Sequence, residues 1–135
     1  MRFIWSIAIV IWCLLLAFLG FAPGLEIAIN DKVLHFFGFG ILTLLIYFFL
    51  DCRVLLQNVI RTAIIAFILS LTSEFIQGLL PYKEFDGFDI CANLLGSSTF
   101  LGISATIDYH LRSRQQHRSW TELNKILEEE PLEEV

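Results

Sequence analysis

The chain has 135 residues, 56% of them hydrophobic, with a mean hydropathy of +0.70. A soluble domain of this size is usually about 45–50% apolar, so the composition points to a membrane protein. Residues 1–118 hold eight Lys/Arg and eight Asp/Glu, so the formal charge of −5 lies in residues 119–135. There is no basic surface of the kind that nucleic acid needs.

Residues 3–22 carry no charge. A helix rising ~1.5 Å per residue crosses the ~30 Å hydrocarbon core in that length. Arg2 gives the segment a positive start. Its apolar run exceeds the ~7–15 residues of a secretory signal core, and Pro23 follows Ala22 with no small-x-small cleavage site. We read it as a retained transmembrane helix, ended by Pro23-Gly24. Residues 33–50 carry only His35, residues 62–80 only Glu74, and residues 90–107 no charge between Asp89 and Asp108. The expected fold is an all-α, four-helix transmembrane bundle over residues 1–111, with helices at about 3–22, 33–50, 62–80 and 90–107. Residues 51–61 and 81–89 are read as connections.

Residues 112–135 form a basic-then-acidic tail. Arg112, Arg114, His117 and Arg118 suit anionic headgroups. Ser119-Trp120-Thr121-Glu122 fits a capping box, and Trp120, Leu123 and Leu127 follow at helical spacing. A short amphipathic helix over about 120–130 and a solvated acidic tail are the two readings. Cys13, Cys52 and Cys91 read as unpaired thiols, with no spacing that suggests zinc.

Lys/Arg bias sets orientation. Arg2, Arg53, Arg61, Arg112, Arg114, Arg118 and Lys125 fall on one side of this threading, and Lys32 and Lys83 on the other. Both termini are therefore expected in the cytoplasm. The sequence does not separate plasma membrane from endomembrane.

Three polar patches then share the non-cytoplasmic end: Asp31-Lys32-His35, Glu74-Gln77 and Asp86-Asp89-Asn93. Ionisable groups are costly in lipid, so such a cluster is a functional-site hypothesis. Glu74 is the deepest, six residues and about 9 Å before Leu80. Lys32 and His35 are its expected partners, because Arg53 and Arg61 lie at the other face. The competing reading is a polar clamp between helices. His35, Glu74, Asp86 and Asp89 can be combined on paper into a metal site, but no HxxxH-type pair exists. The reading assigns no metal, no cofactor and no catalytic residue. Ser73 reads as a helix residue bonded to its own backbone. Gly38 and Gly40, Ala92-x-x-x-Gly96 and Ser98-x-x-x-Gly102 read as helix-packing positions. They pair the second and fourth helices and bring His35 towards Asp89.

These residues resemble a family. Asn30-Asp31-Lys32-x-x-His35-Phe36, Ser73-Glu74-Phe75-x-Gln77-Gly78, Phe85-Asp86 and Asp89-x-x-x-Asn93-x-x-Gly96 are similar, in order and spacing, to the motif of VanZ-like proteins. The unbroken Glu84-Phe85-Asp86 and the Gly78-Leu79-Leu80-Pro81 turn look closest to the fungal members. Bacterial members often carry an arginine before the Phe-Asp step, where this chain has Lys83 and Glu84. The resemblance implies a small multi-pass membrane protein, and the family's namesake is linked to low-level teicoplanin resistance.

The leading expectation is a binding protein, not an enzyme, with a polar site at headgroup depth for a lipid or other amphiphile. Two alternatives remain. One is a membrane enzyme acting on a lipid-linked substrate, with His35 as acid/base. The other is a structural or assembly subunit with a membrane-protein partner. A transporter is disfavoured because the charged and amide groups gather at one end.

Overall fold

A computed structural model of the chain describes residues 2–21 and 30–129, with Arg2 described by its backbone alone. The described residues form α1 (Arg2–Phe21), α2 (Asp31–Leu50), α3 (Leu55–Gly78) and α4 (Gly87–Glu129), and no strand. All four helices are long and apolar enough to cross a bilayer. The fold is all-α and the protein is a multi-pass membrane protein. The expected stop at Pro23-Gly24, like most of the first connection and the residues after Glu129, lies outside the described residues.

The chain divides into two compact units, Met1–Ala105 and Thr106–Val135. Within the first, α2 touches each of the other helices. Against α1, the Trp12 indole Nε1–H donates to the Gly38 carbonyl at 2.9 Å, and Trp5 stacks on Phe48 at 5.6 Å. Against α3, the Asn58 amide donates to the Tyr47 carbonyl at 3.1 Å. Against α4, a Cβ on Gly96 would collide with the Phe36 carbonyl oxygen, so the two backbones touch. Only a residue without a side chain allows that approach.

The connection between α2 and α3 is shorter than expected. Asp51 closes α2 in a left-handed conformation (φ 40°), with its N–H bonded to the Tyr47 carbonyl. Asp tolerates that region better than most residues. The Asn58 side chain also accepts the Cys52 N–H at 3.3 Å, which ties the turn to the first turns of α3. Helix α3 therefore starts at Leu55 rather than near residue 62. Gln57, Asn58 and Arg61 hid this start from a count of apolar residues.

The exposed surface of the first unit is apolar and part of its interior is polar. Val10, Leu14, Phe18, Phe67, Phe75 and Leu95 are exposed. Asn58, Thr62, Ser70, Glu74 and Gln77 are buried on one face of α3, at helical spacing with Ala66. Asp89, Asn93, Ser97 and Ser104 are buried on α4 with Ala92 and Gly96. This arrangement suits a lipid solvent, in which apolar side chains face the acyl chains and small or polar ones face neighbouring helices. Buried polarity thus runs the length of α3 and is not confined to one end. Hydroxyls at Thr62, Ser70, Ser97 and Ser104 extend it beyond the three charged patches.

Helix α4 does not stop near residue 107. It continues to Glu129, through residues 103–129 that contain neither Gly nor Pro. In the second unit Arg112 Nε donates to Asp108 Oδ1 at 2.7 Å, an i,i+4 pair. The expected capping box at Ser119 is not formed. The Ser119 hydroxyl donates to the Gln115 carbonyl at 3.1 Å, as a residue inside a helix does. The three cysteines are unbridged.

Candidate functional site

Asp86 ties the polar end together. Its side chain accepts the Phe88 N–H at 2.8 Å, two residues on, as an N-cap of α4. Its backbone N–H donates to Glu74 Oε1 at 2.9 Å, which joins α3 to the start of α4. Its Oδ2 accepts from Lys32 Nζ at 2.7 Å, which brings in α2. The Lys32 ammonium, helped by the Phe88 N–H, holds the Asp86 carboxyl below the usual carboxylate range. Lys32 itself is placed by its N–H, which donates at 3.0 Å to the N-cap Asn30.

Lys32 also reaches Asp89 Oδ1 at 2.6 Å. It therefore pairs with Asp86 and Asp89, not with Glu74 as the sequence suggested. His35 does not reach Glu74 either. Its Nδ1 faces Asn93 Oδ1 at 3.0 Å, and its Nε2 lies 3.8 Å from Asp31 Oδ2 and 3.7 Å from Asp89 Oδ2. Glu74 is fully buried, and its Oε2 has no hydrogen-bond partner among the described residues. Its length and depth carry it to a backbone N–H rather than to a cation. The nearness of His35 to Asp89 follows from the close contact of α2 and α4 at Gly96.

The packing positions differ among themselves. A Cβ on Gly38 would press on Leu16 of α1 at 2.8 Å, and one on Gly40 would meet the Phe100 ring at 2.5 Å. Ala92 is buried beside Asn93 in sequence. Gly102 is unlike these, because a Cβ there would meet nothing within 4 Å. Ser98, its expected companion, is exposed. Sequence spacing alone could not tell a lipid-facing small pair from an interfacial one.

Beside this network lies a cavity of about 380 Å³, bounded by α1, α2 and α3. Leu16, Ala17, Phe39, Leu42, Leu69 and Ile76 make apolar wall, while Asp31, His35, Gln77 and Lys83 supply polar groups. Gln77 packs so close to α1 that a Cβ on Gly20 would lie 2.7 Å from its amide nitrogen. The Tyr82 hydroxyl donates to the Phe21 carbonyl at 2.8 Å and fastens the end of α1 beside Lys83. The Lys83 ammonium makes no hydrogen bond or ion pair with any described residue, in contrast to that of Lys32. The sequence pointed to Lys83 for orientation and at the Phe-Asp step, but not as a site residue. The signal was there: one of two cations on that side, next to the motif.

The polar residues thus fall into two groups. Lys32, Glu74, Asp86 and Asp89 bond mainly to one another or to backbone, and Asn93 bonds to His35. Asp31, His35, Gln77 and Lys83 border the cavity.

Comparison with known proteins agrees with the motif reading. A family model described as VanZ/LLP1 matches residues 2–108. An uncharacterized protein of Schizosaccharomyces pombe is 44% identical over 102 residues, which cover 76% of this chain and 62% of that protein. The chain therefore spans less than two thirds of that relative's length. No solved structure matches the chain.

Proposed function

We propose that this chain, which belongs to the VanZ/LLP1 family, binds a lipid or similar amphiphile in the cavity between α1, α2 and α3. The apolar tail lies against Leu16, Ala17, Phe39, Leu42 and Leu69, and the headgroup meets Asp31, His35, Gln77 and Lys83. The observation that carries this reading is a mostly apolar cavity lining that also includes Asp31, His35, Gln77 and Lys83. Ligand sites are usually about 300–1,000 Å³, mostly apolar, with a few placed polar groups. A cavity of about 380 Å³ fits that description. In this reading the network around Asp86 is the frame that holds α2, α3 and α4 in register. The Lys/Arg asymmetry supports a non-cytoplasmic position for the polar end.

Native mass spectrometry of the full chain, purified in mild detergent, tests the proposal. Wild type is expected to retain phospholipid through purification. Ala17→Trp, which fills the apolar wall, is expected to lower occupancy at least tenfold with unchanged helix content. Gln77→Leu is expected to shift the headgroup classes retained. Identical lipids at identical occupancy in all three proteins would refute the reading.

A further inference from the structure

Asp31, His35 and Asp89 each offer one donor atom, and the three atoms lie within 4.8 Å of one another. The geometry points to a divalent transition-metal site formed by Asp31, His35 and Asp89 at the polar end of the bundle.

The distances leave room for an ion between the three groups. His35 Nε2 is 3.8 Å from Asp31 Oδ2 and 3.7 Å from Asp89 Oδ2. An N–H···O bond would be about 2.7–3.2 Å, so neither carboxylate takes a hydrogen from Nε2. Donor atoms around a tetrahedral ion with bonds of ~2.1 Å lie roughly 3.4 Å apart. Closure by a few tenths of an ångström brings each carboxylate to that distance from His35, and the two carboxylate oxygens, within 4.8 Å of each other, draw in around the ion.

His35 supplies an independent observation. The side chain is more than nine-tenths buried, and its Nε2 has no hydrogen-bond partner among the described residues. Its other nitrogen, Nδ1, faces the Asn93 carbonyl oxygen at 3.0 Å. In the tautomer in which Nδ1 carries the hydrogen and donates it to Asn93 Oδ1, Nε2 keeps the lone pair that a metal takes. Metal-binding histidines are oriented in this way by a partner on the second nitrogen. Asn93 is therefore a positioning residue for the site.

The carboxylates are arranged to match. Asp89 divides its oxygens: Oδ1 takes Lys32 Nζ at 2.6 Å, and Oδ2 faces His35. Lys32 thus orients Asp89 without covering the donor atom. Asp31 stands one helical turn before His35 on α2 and is exposed, so an ion can enter from its side. Two carboxylates and a neutral imidazole balance a divalent charge. One nitrogen with two oxygens suits zinc or manganese better than a soft thiophilic ion. Asp31 and His35 also line the cavity, so the ion would keep an open position facing it. The site does not depend on the cavity holding an amphiphile.

The test is metal uptake by the full chain in mild detergent, stripped with chelator and then dialysed against Zn²⁺ or Mn²⁺ separately. Plasma mass spectrometry is expected to find about one equivalent of one of these ions per chain. Affinity is expected to fall at least tenfold in Asp31→Asn and in His35→Gln, and to stay unchanged in Ser70→Ala and Gly102→Ala. Asp31 is exposed, so its variant keeps the test decisive if His35→Gln fails to fold. Cobalt(II) bound in place of zinc is expected to give a visible absorption band that His35→Gln removes. Failure of wild type to take up either ion stoichiometrically, or equal affinity in wild type and Asp31→Asn, would overturn the inference.

Discussion

At the scale of single residues, the polar end is a set of partnerships that the sequence suggested only in outline. Residue types and spacing picked out Asp31, Lys32, His35, Glu74, Gln77, Asp86, Asp89 and Asn93, because ionisable and amide groups stand out in an apolar chain. They did not fix who bonds to whom. Lys32 reaches two carboxylates at the start of α4, more than fifty residues away in sequence, and Glu74 takes a backbone N–H. These choices depend on side-chain reach across helices, which one-dimensional spacing does not contain. Glu74→Ala would leave the Asp86 N–H without its acceptor. That loss is expected to cost about 1–3 kcal/mol, read as a lower unfolding midpoint in detergent. The buried hydroxyls should behave differently. Ser70 and Ser104 have side chains with no hydrogen-bond partner among the described residues. Removing a group that makes no bond is close to neutral, so Ser70→Ala and Ser104→Ala should each change stability by less than about 0.5 kcal/mol. A cost above about 1 kcal/mol would mean that these hydroxyls are bonded in the membrane.

At the scale of elements, the four helices were legible from uncharged length, but their ends were not. Helix α3 begins earlier than its apolar stretch because Asn58 is buried against the turn after α2. Helix α4 runs past its apolar stretch because nothing breaks it before Glu129. The glycines separate in the same manner. Gly96 marks where α2 and α4 backbones touch, whereas Gly102 has room for a side chain. Gly96→Val should therefore destabilise by about 1–3 kcal/mol or more, as overpacking does. Gly102→Ala should be neutral or stabilising by up to about 1 kcal/mol, through helix propensity. Thermal or denaturant unfolding of both variants in one detergent checks the contrast. Equal effects would mean that α2 and α4 do not meet at Gly96.

At the scale of the whole molecule, the interior of the first unit carries polar groups and its surface is made for lipid. The frame around Asp86 fixes three helices at one end, and the cavity opens beside it with Lys83 and Gln77 at its rim. The Lys/Arg bias predicts that this end faces away from the cytoplasm. Cysteine placed at exposed Glu84, in a chain lacking its own cysteines, should be labelled by an impermeant maleimide on intact cells or sealed right-side-out vesicles. Cysteine at Glu128 should be labelled only after permeabilisation. The reverse pattern would invert the threading. The central claim, that the cavity holds an amphiphile, is tested most directly by photolabelling in bilayers with a phospholipid carrying a diazirine on its acyl chain. The expected result is saturable labelling of residues 13–20, 34–42 and 69–76, competed by unlabelled phospholipid and lost in Ala17→Trp. Non-saturable labelling spread evenly over these residues and the exposed apolar positions Phe88, Leu95 and Ile103 of α4 would contradict it.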